Sequence, residues 1–459
     1  MDRDTAEPRV DSFPGDAARE WVAHHQRTAA PSTYVYDFVW DVTEDAVGPF
    51  CTDVDGNVLL DFTAHVASAP LGYNNPKVLD RLEAFDLVDP TKIAGQDFYV
   101  SGGGPPDDPD LPGPTQLMDR LTDLTSDYDL DTVFLSNSGA EAVENAIKIC
   151  YAKRGHRAVT FDGAFHGRTL GALSLNRSKA VHRRGFPEVP GVVALPYCSC
   201  EGACTCGWET DGPGGNRLAD LLHPEQGVVD PAELAYVILE PQQGEGGYRV
   251  ASDSFARDVA DLKAEHGFYV VSDEIQAGLG RTGEMWGIDH LPLDPDVVAS
   301  AKGLRVGATI ANEDVFPAEK ARLSSTWGAG DVLAAAQGVA TIDAIEEYDL
   351  LANVRERGAQ FTDLLTDLDH EHVVDVRGRG LMLAIELDSR DRRNALVEAC
   401  LARGLLTLGC GHETLRLLPP LDATEREVDL GYGILADALD DPRVRRARAG
   451  ESPDESDVS

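Results

Sequence analysis

A lysine, two acids and a small-residue turn fall at the ends of short apolar runs in this chain. Lys302 closes DVVASAK, Asp273 closes FYVVSD, Glu240 closes LAYVILE, and Ser138-Gly139-Ala140 directly follow TVFLSN and lead into the next segment. A primary amine with small residues before it and Gly303 after it has room to form an imine with an aldehyde. A carboxylate at a neighbouring strand end can hold a protonated ring nitrogen in place. A Ser-Gly turn that opens a helix offers unpaired N–H groups and a dipole to an anion. Singly, each feature is ordinary: a solvated lysine, an acid that caps a helix or binds magnesium in an ATPase, a Ser-Gly cap. It is their occurrence together, in this order, that points to shared chemistry.

The elements that carry them read as an α/β chain. TQLMDRLTDLT has the period of a helix, TVFLSN and RAVTFDG read as strands, and GAEAVENAIKICYAKR is an amphipathic helix with Ala142, Val143, Ala146, Ile147 and Cys150 on one face. LAYVILE, FYVVSDE and DVVASAK are apolar throughout, which implies a mostly parallel sheet covered by helices on both faces. Polar residues at the C-terminal ends of such strands lie where open α/β sheets bind ligands. Upstream, a helix is expected around Ala17–Thr28, and Phe50–Phe62 alternates about Asp55-Gly56 as a hairpin. Residues 102–114 read as a loop. Past about 330 the pattern becomes one long helix or two, then the hairpin VVDVRGRGLMLAIEL, the helix RRNALVEACLARG and the strand LRLLPPL. The expected organisation is an N-terminal segment 1–75 packing with a smaller domain, a large domain 76–330 with a Cys-rich insert 196–215, the smaller α/β domain 331–445, and a disordered tail 446–459.

A cofactor that needs a lysine, a carboxylate and a phosphate cradle on one sheet edge is pyridoxal 5'-phosphate (PLP). Lys302 would hold it as a Schiff base and later shuttle a proton, and Asp273 would keep its pyridine nitrogen protonated. The chain also resembles the class III aminotransferases, the group that includes ornithine, acetylornithine, 4-aminobutyrate and lysine-ε aminotransferases. The likeness is carried by SNSGAEAVENAIK, FDGAFHGRTLGALS, EPQQGEGG, SDEIQAGLGRTG, SAKGL, SSTWGAGDVLAA and LRLLPPL, in that order, and by the 29-residue interval from Asp273 to Lys302. The resemblance implies PLP-dependent transferase fold type I and a ping-pong amino-group transfer from an ω-amine or basic amino acid to an α-keto acid such as α-ketoglutarate. It implies cofactor contacts from Ser138, Gly139 and Ala140 (phosphate), Phe165 (ring stacking), Gln276 (phenolic oxygen), Glu240 (behind the cofactor) and Thr326 (the phosphate of a neighbouring subunit, hence a homodimer or larger homo-oligomer). It further implies that Arg416 binds the keto acid's α-carboxylate, that Glu245 masks this arginine when an ω-amine is bound, and that Arg168 holds a distal carboxylate. Where ornithine-type members often have a tyrosine, six residues before Gly72, this chain has Val66, which argues against strict ornithine specificity. Some relatives in this family racemise or epimerise amino acids, which is the alternative reading.

Two features stand outside that pattern. Cys198, Cys200, Cys204 and Cys206 crowd into CSCEGACTC, a spacing at which four thiolates can wrap one structural zinc, with free surface thiols or a redox pair as the alternative. Cys51, Cys150, Cys400 and Cys410 sit in apolar contexts and read as core. The net charge is −39, from 40 Lys+Arg against 79 Asp+Glu, which disfavours nucleic acid and anionic membranes as partners. With eight lysines in 459 residues, it suggests a halophile's salty cytoplasm. No apolar run approaches membrane-span length and the first residues hold no apolar signal core, so a cytoplasmic location is expected. Gly278–Gly283 spells G-x-G-x-x-G, but the two prolines and absent period after it argue against a dinucleotide site.

Overall fold

The structure, a computed structural model, describes residues 1–32, 38–83, 101–324 and 331–447. It divides into two units, one from the described parts of Met1–Pro76 and Ala352–Ser459, the other from those of Lys77–Leu351. In the first unit, strands β1 (Phe50–Thr52) and β2 (Val58–Asp61) pair antiparallel. Their turn is tied by Asp53, whose Oδ1 accepts the N–H groups of Asp55 (2.9 Å) and Asn57 (2.8 Å), with Gly56 at φ +80°. Just after β2, Ala64, His65, Val66 and Ala67 have φ of 42°, 51°, 57° and 68°, a left-handed turn with no glycine in it.

The second unit is built on a seven-stranded sheet. Its strands are β3 (Thr132–Ser136), β4 (Arg157–Phe161), β5 (Val192–Leu195), β6 (Leu234–Leu239), β7 (Tyr269–Asp273), β8 (Val297–Ser300) and β9 (Gly307–Ala311), in spatial order β3-β9-β8-β7-β6-β4-β5. The five strands from β5 to β8 in that order run parallel, and β9 runs antiparallel to both β8 and β3. The expected amphipathic helix spans Gly139–Lys153 and buries Ala142, Val143, Ala146, Ile147 and Cys150 against Ala158, Tyr236, Val271 and Val297 of the sheet. At about 25 cal/mol per Å² of apolar surface removed from water, such a face is what holds a helix to a sheet.

The rest of the first unit follows two helices, Val332–Glu347 and Leu350–Thr366. Strands β10 (Val373–Arg379) and β11 (Met382–Leu387) form the hairpin, bent at Gly380 with φ +54°. β12 (Leu405–Leu406) adds to β2 in parallel, and β13 (Leu408–Cys410) and β14 (Thr414–Leu417) complete a second sheet, β10-β11-β14-β13. Phe50, Leu60 and Phe62 share one core with Phe361, Leu383, Ile385, Leu387, Leu405 and Leu417. The early hairpin and the late strands are thus joined by apolar contact as well as by the β2–β12 ladder. Cys51, Cys150, Cys400 and Cys410 are all buried, as their apolar contexts suggest. Among the described residues no helix is long and apolar enough to cross a membrane. Residues 448–459 of the expected tail lie outside the described residues.

Candidate active site

Strand register brings the chemistry-bearing ends side by side. Asp273 on β7 pairs with Ala299 on β8, Ser300 on β8 with Ala308 on β9, and Gly307 on β9 with Ser136 on β3. Two residues beyond β8, Lys302 opens a short 3-10 turn, Lys302–Leu304, and is half-buried. Its φ is +48°, a left-handed conformation that costs an L-residue about 1–2 kcal/mol. The surrounding edge must therefore impose it. Ser138 caps the helix Gly139–Lys153, its Oγ accepting Glu141 N–H at 3.3 Å. The first-turn N–H groups of such a helix have no intrahelical acceptor.

Asp273 is 3% exposed, and its Oδ1 accepts Ile275 N–H at 3.1 Å. Its Oδ2 lies 2.7 Å from Nδ1 of His166, a side chain that is itself buried. Beside that pair, Glu240 joins two loops: Oε1 accepts Phe165 N–H at 3.0 Å and Oε2 accepts Gly244 N–H at 2.8 Å. Burial pushes the Glu240 carboxyl up to about 7; His166 opposes the rise and the Asp273 charge adds to it. Glu274 accepts N–H from Gly287 (2.7 Å) and Ile288 (2.9 Å) and the Ser272 hydroxyl (2.8 Å), and burial pushes it up to about 7 as well. Glu274 thereby ties the end of β7, just before Gln276, to the later turn at Gly287.

Two glycines let these loops close on the helix N-terminus. A Cβ on Gly139 would stand 2.8 Å from Ile275 Cδ1, and one on Gly167 would stand 2.8 Å from Ala140 Cβ. The phosphate-type turn is thus pressed against the loops carrying Gln276 and His166. Three buried polar atoms in these segments, Gln276 Oε1, Ser300 Oγ and His166 Nε2, have no protein partner. A lysine, a buried carboxylate, first-turn N–H groups and the incompletely bonded Gln276, Ser300 and His166 side chains fit the mix of donors and acceptors that a planar phosphorylated pyridine needs.

The other expected residues are distributed as follows. Phe165 has the Arg168 guanidinium carbon 5.4 Å from its ring centre and the His182 ring at 5.4 Å, edge-on. Arg168 is exposed. Glu245 is ion-paired with Lys179. Arg416 stands on β14 of the first unit and is 8% exposed. Thr326 lies outside the described residues. The four clustered cysteines bring their sulfur atoms within 4.8 Å of one another. Gly278–Gly283 opens no long helix; the next element is the 3-10 turn Gly287–His290. His166 is the residue that sequence reasoning passes over. Its only signal is its place next to Phe165 in AFHGR.

Residues 35–439 match the family described as Aminotransferase class-III. The chain is 31% identical over 405 residues to the acetylornithine aminotransferase of Caldanaerobacter subterraneus subsp. tengcongensis, covering 85% of this chain and 92% of that one. It is 32% identical over 421 residues to the 4-aminobutyrate aminotransferase of Mycobacterium leprae, covering 86% and 90%. The lysine aminotransferase of M. tuberculosis superposes with a TM-score of 0.77 at 26% identity, covering 93% and 99%. The chain belongs to the class III aminotransferases, PLP-dependent enzymes that transfer an amino group.

Proposed function

We propose that this enzyme takes the amino group of an ω-amine or a basic amino acid and passes it to an α-keto acid such as α-ketoglutarate, in two half-reactions at one site. The observation that carries this reading is the convergence of Lys302, the Asp273–His166 pair and the Ser138 turn on one sheet edge. PLP, when bound, supplies an electron-withdrawing ring that acidifies the C–H beside the transferred nitrogen. Lys302 would hold its aldehyde carbon, and its Nζ would carry a proton once released. Asp273 would keep a proton on the ring nitrogen, with His166 orienting the carboxylate. Phe165 would cover the ring face, Gln276 would bond its phenolic oxygen, and Glu240 would brace the loops behind it. Ser138, Gly139 and Ala140 would hold the phosphate, joined by Thr326 of the partner subunit in a homodimer or larger assembly.

Substrate selection would rest on charge. Arg168, exposed over the Phe165 ring, suits a distal carboxylate, and Arg416 suits the α-carboxylate of the acceptor. Glu245 would mask Arg416 while an ω-amine is bound. The relatives named for acetylornithine and 4-aminobutyrate fit a donor with an amine at the end of its chain. We place the enzyme in a salty cytoplasm on the strength of its −39 charge.

The test is incubation of purified protein with a panel of amines and α-ketoglutarate. Glutamate is expected to appear, and Lys302→Ala is expected to slow turnover about 1,000-fold or more. Borohydride reduction of the wild type should leave a pyridoxyl group on the peptide containing Lys302. Loss of optical rotation without glutamate would move the reading to a racemase or epimerase.

A further inference from the structure

We propose that Cys198, Cys200, Cys204 and Cys206 bind one zinc ion that clasps their loop onto the large unit. Their four sulfur atoms lie within 4.8 Å of one another, and the Cys204–Cys206 pair is at 3.4 Å. Four thiolates at a Zn–S distance of about 2.3 Å have tetrahedral edges of about 3.8 Å, between those two values. All four are free thiols, so none is committed to a disulfide. Two turns gather them, with Gly202 at φ +96° and Gly207 at φ +82°, conformations that side chains rarely adopt.

The sulfur atoms already accept hydrogen bonds of the kind that support metal-bound thiolates. Thr205 N–H donates to Cys200 Sγ (3.5 Å), Glu209 N–H to Cys204 Sγ (3.4 Å), and the Ser252 hydroxyl to Cys198 Sγ (3.7 Å). Four soft sulfur ligands in a closed set, with no open position for substrate, describe a structural zinc rather than a catalytic one.

What the ion would hold is visible in the loop's anchors. Trp208 is 1% exposed, donates from Nε1 to Asp258 at 2.7 Å and packs 4.7 Å from Phe255, both on the helix Asp253–His266. Ser252, the cap of that helix, donates its N–H to the Cys198 carbonyl at 3.0 Å. At the other side, the Tyr197 hydroxyl donates to the carbonyl oxygens of Glu240 (2.9 Å) and Pro241 (3.0 Å). The clasp therefore grips both the helix that leads into β7 and the strand end that carries Glu240.

The experiment is elemental analysis of the full-length holoenzyme purified without a metal-affinity step, followed by exchange with cobalt(II). We expect close to one zinc per chain and, after exchange, the intense visible absorption of a tetrahedral cobalt thiolate. Cys198→Ser and the double change Cys204→Ser/Cys206→Ser should lose the metal and lower the thermal midpoint by about 5 °C or more. Metal well below one atom per chain without cobalt uptake, or serine variants that keep full zinc, would overturn the proposal. If the variants fail to fold, the wild-type cobalt spectrum decides alone. Lys302→Ala should carry as much zinc as the wild type, which separates this outcome from that of the catalytic reading.

Discussion

His166 and Asp273 meet at 2.7 Å where almost no water reaches either of them. Replacing the imidazole by an apolar side chain would leave Asp273 Oδ2 buried without its donor. A buried acceptor stripped of its partner costs about 1–3 kcal/mol, more when it is charged. His166→Leu is therefore expected to lower kcat/KM about 10- to 100-fold and to speed loss of bound cofactor on dialysis, read from its absorbance. His166→Asn, which keeps a donor, should recover part of both. Unchanged cofactor retention in the leucine variant would make His166 a packing residue only. The difficulty of finding it beforehand is physical: a histidine stands out only through the partner it meets, and Asp273 is 107 positions away in sequence. Lys302 and Asp273, by contrast, are visible in the sequence because each ends an apolar run.

At the scale of elements, the left-handed turn at Ala64–Ala67 is the most costly local choice in the first unit. Val66 is β-branched and half-buried, and an L-residue in this conformation gives up about 1–2 kcal/mol. Glycine escapes that cost but loses more freedom on folding, by about 0.5–1 kcal/mol. Val66→Gly is expected to raise unfolding free energy by up to about 1 kcal/mol in denaturant titrations. A loss of similar size would mean that the Val66 side chain contributes more through contacts than the backbone costs. Nothing in AHVA announces such a turn, since it holds neither Gly nor Asn. β9 is hidden for a different reason: GATIA is a five-residue apolar run that opens on a glycine, which reads as turn. Once β9 is recognised, its direction follows. β8 ends at Ser300 and β9 begins at Gly307, too close for the crossover of a dozen or more residues that a parallel pair requires. The parallel strands β6, β7 and β8 are legible because they are apolar throughout and end in polar residues.

Over the whole molecule, ion pairs such as Arg3 to Glu427 cannot offset the −39 charge, because 79 acids face only 40 Lys+Arg. In dilute buffer the Debye length is about 30 Å, long enough for acids across the surface to repel, while at molar salt it is about 3 Å. The thermal midpoint should climb by several degrees or more between low salt and molar KCl. A midpoint that stayed level across that range would remove the case for a halophilic host. The order of the chain adds a consequence for synthesis. β2 receives its parallel neighbour β12 only when Leu405 has been made, after all of Lys77–Leu351. During translation the early hairpin must therefore wait with an open edge while the central unit emerges, and its sheet is completed only after that unit's whole sheet has been made.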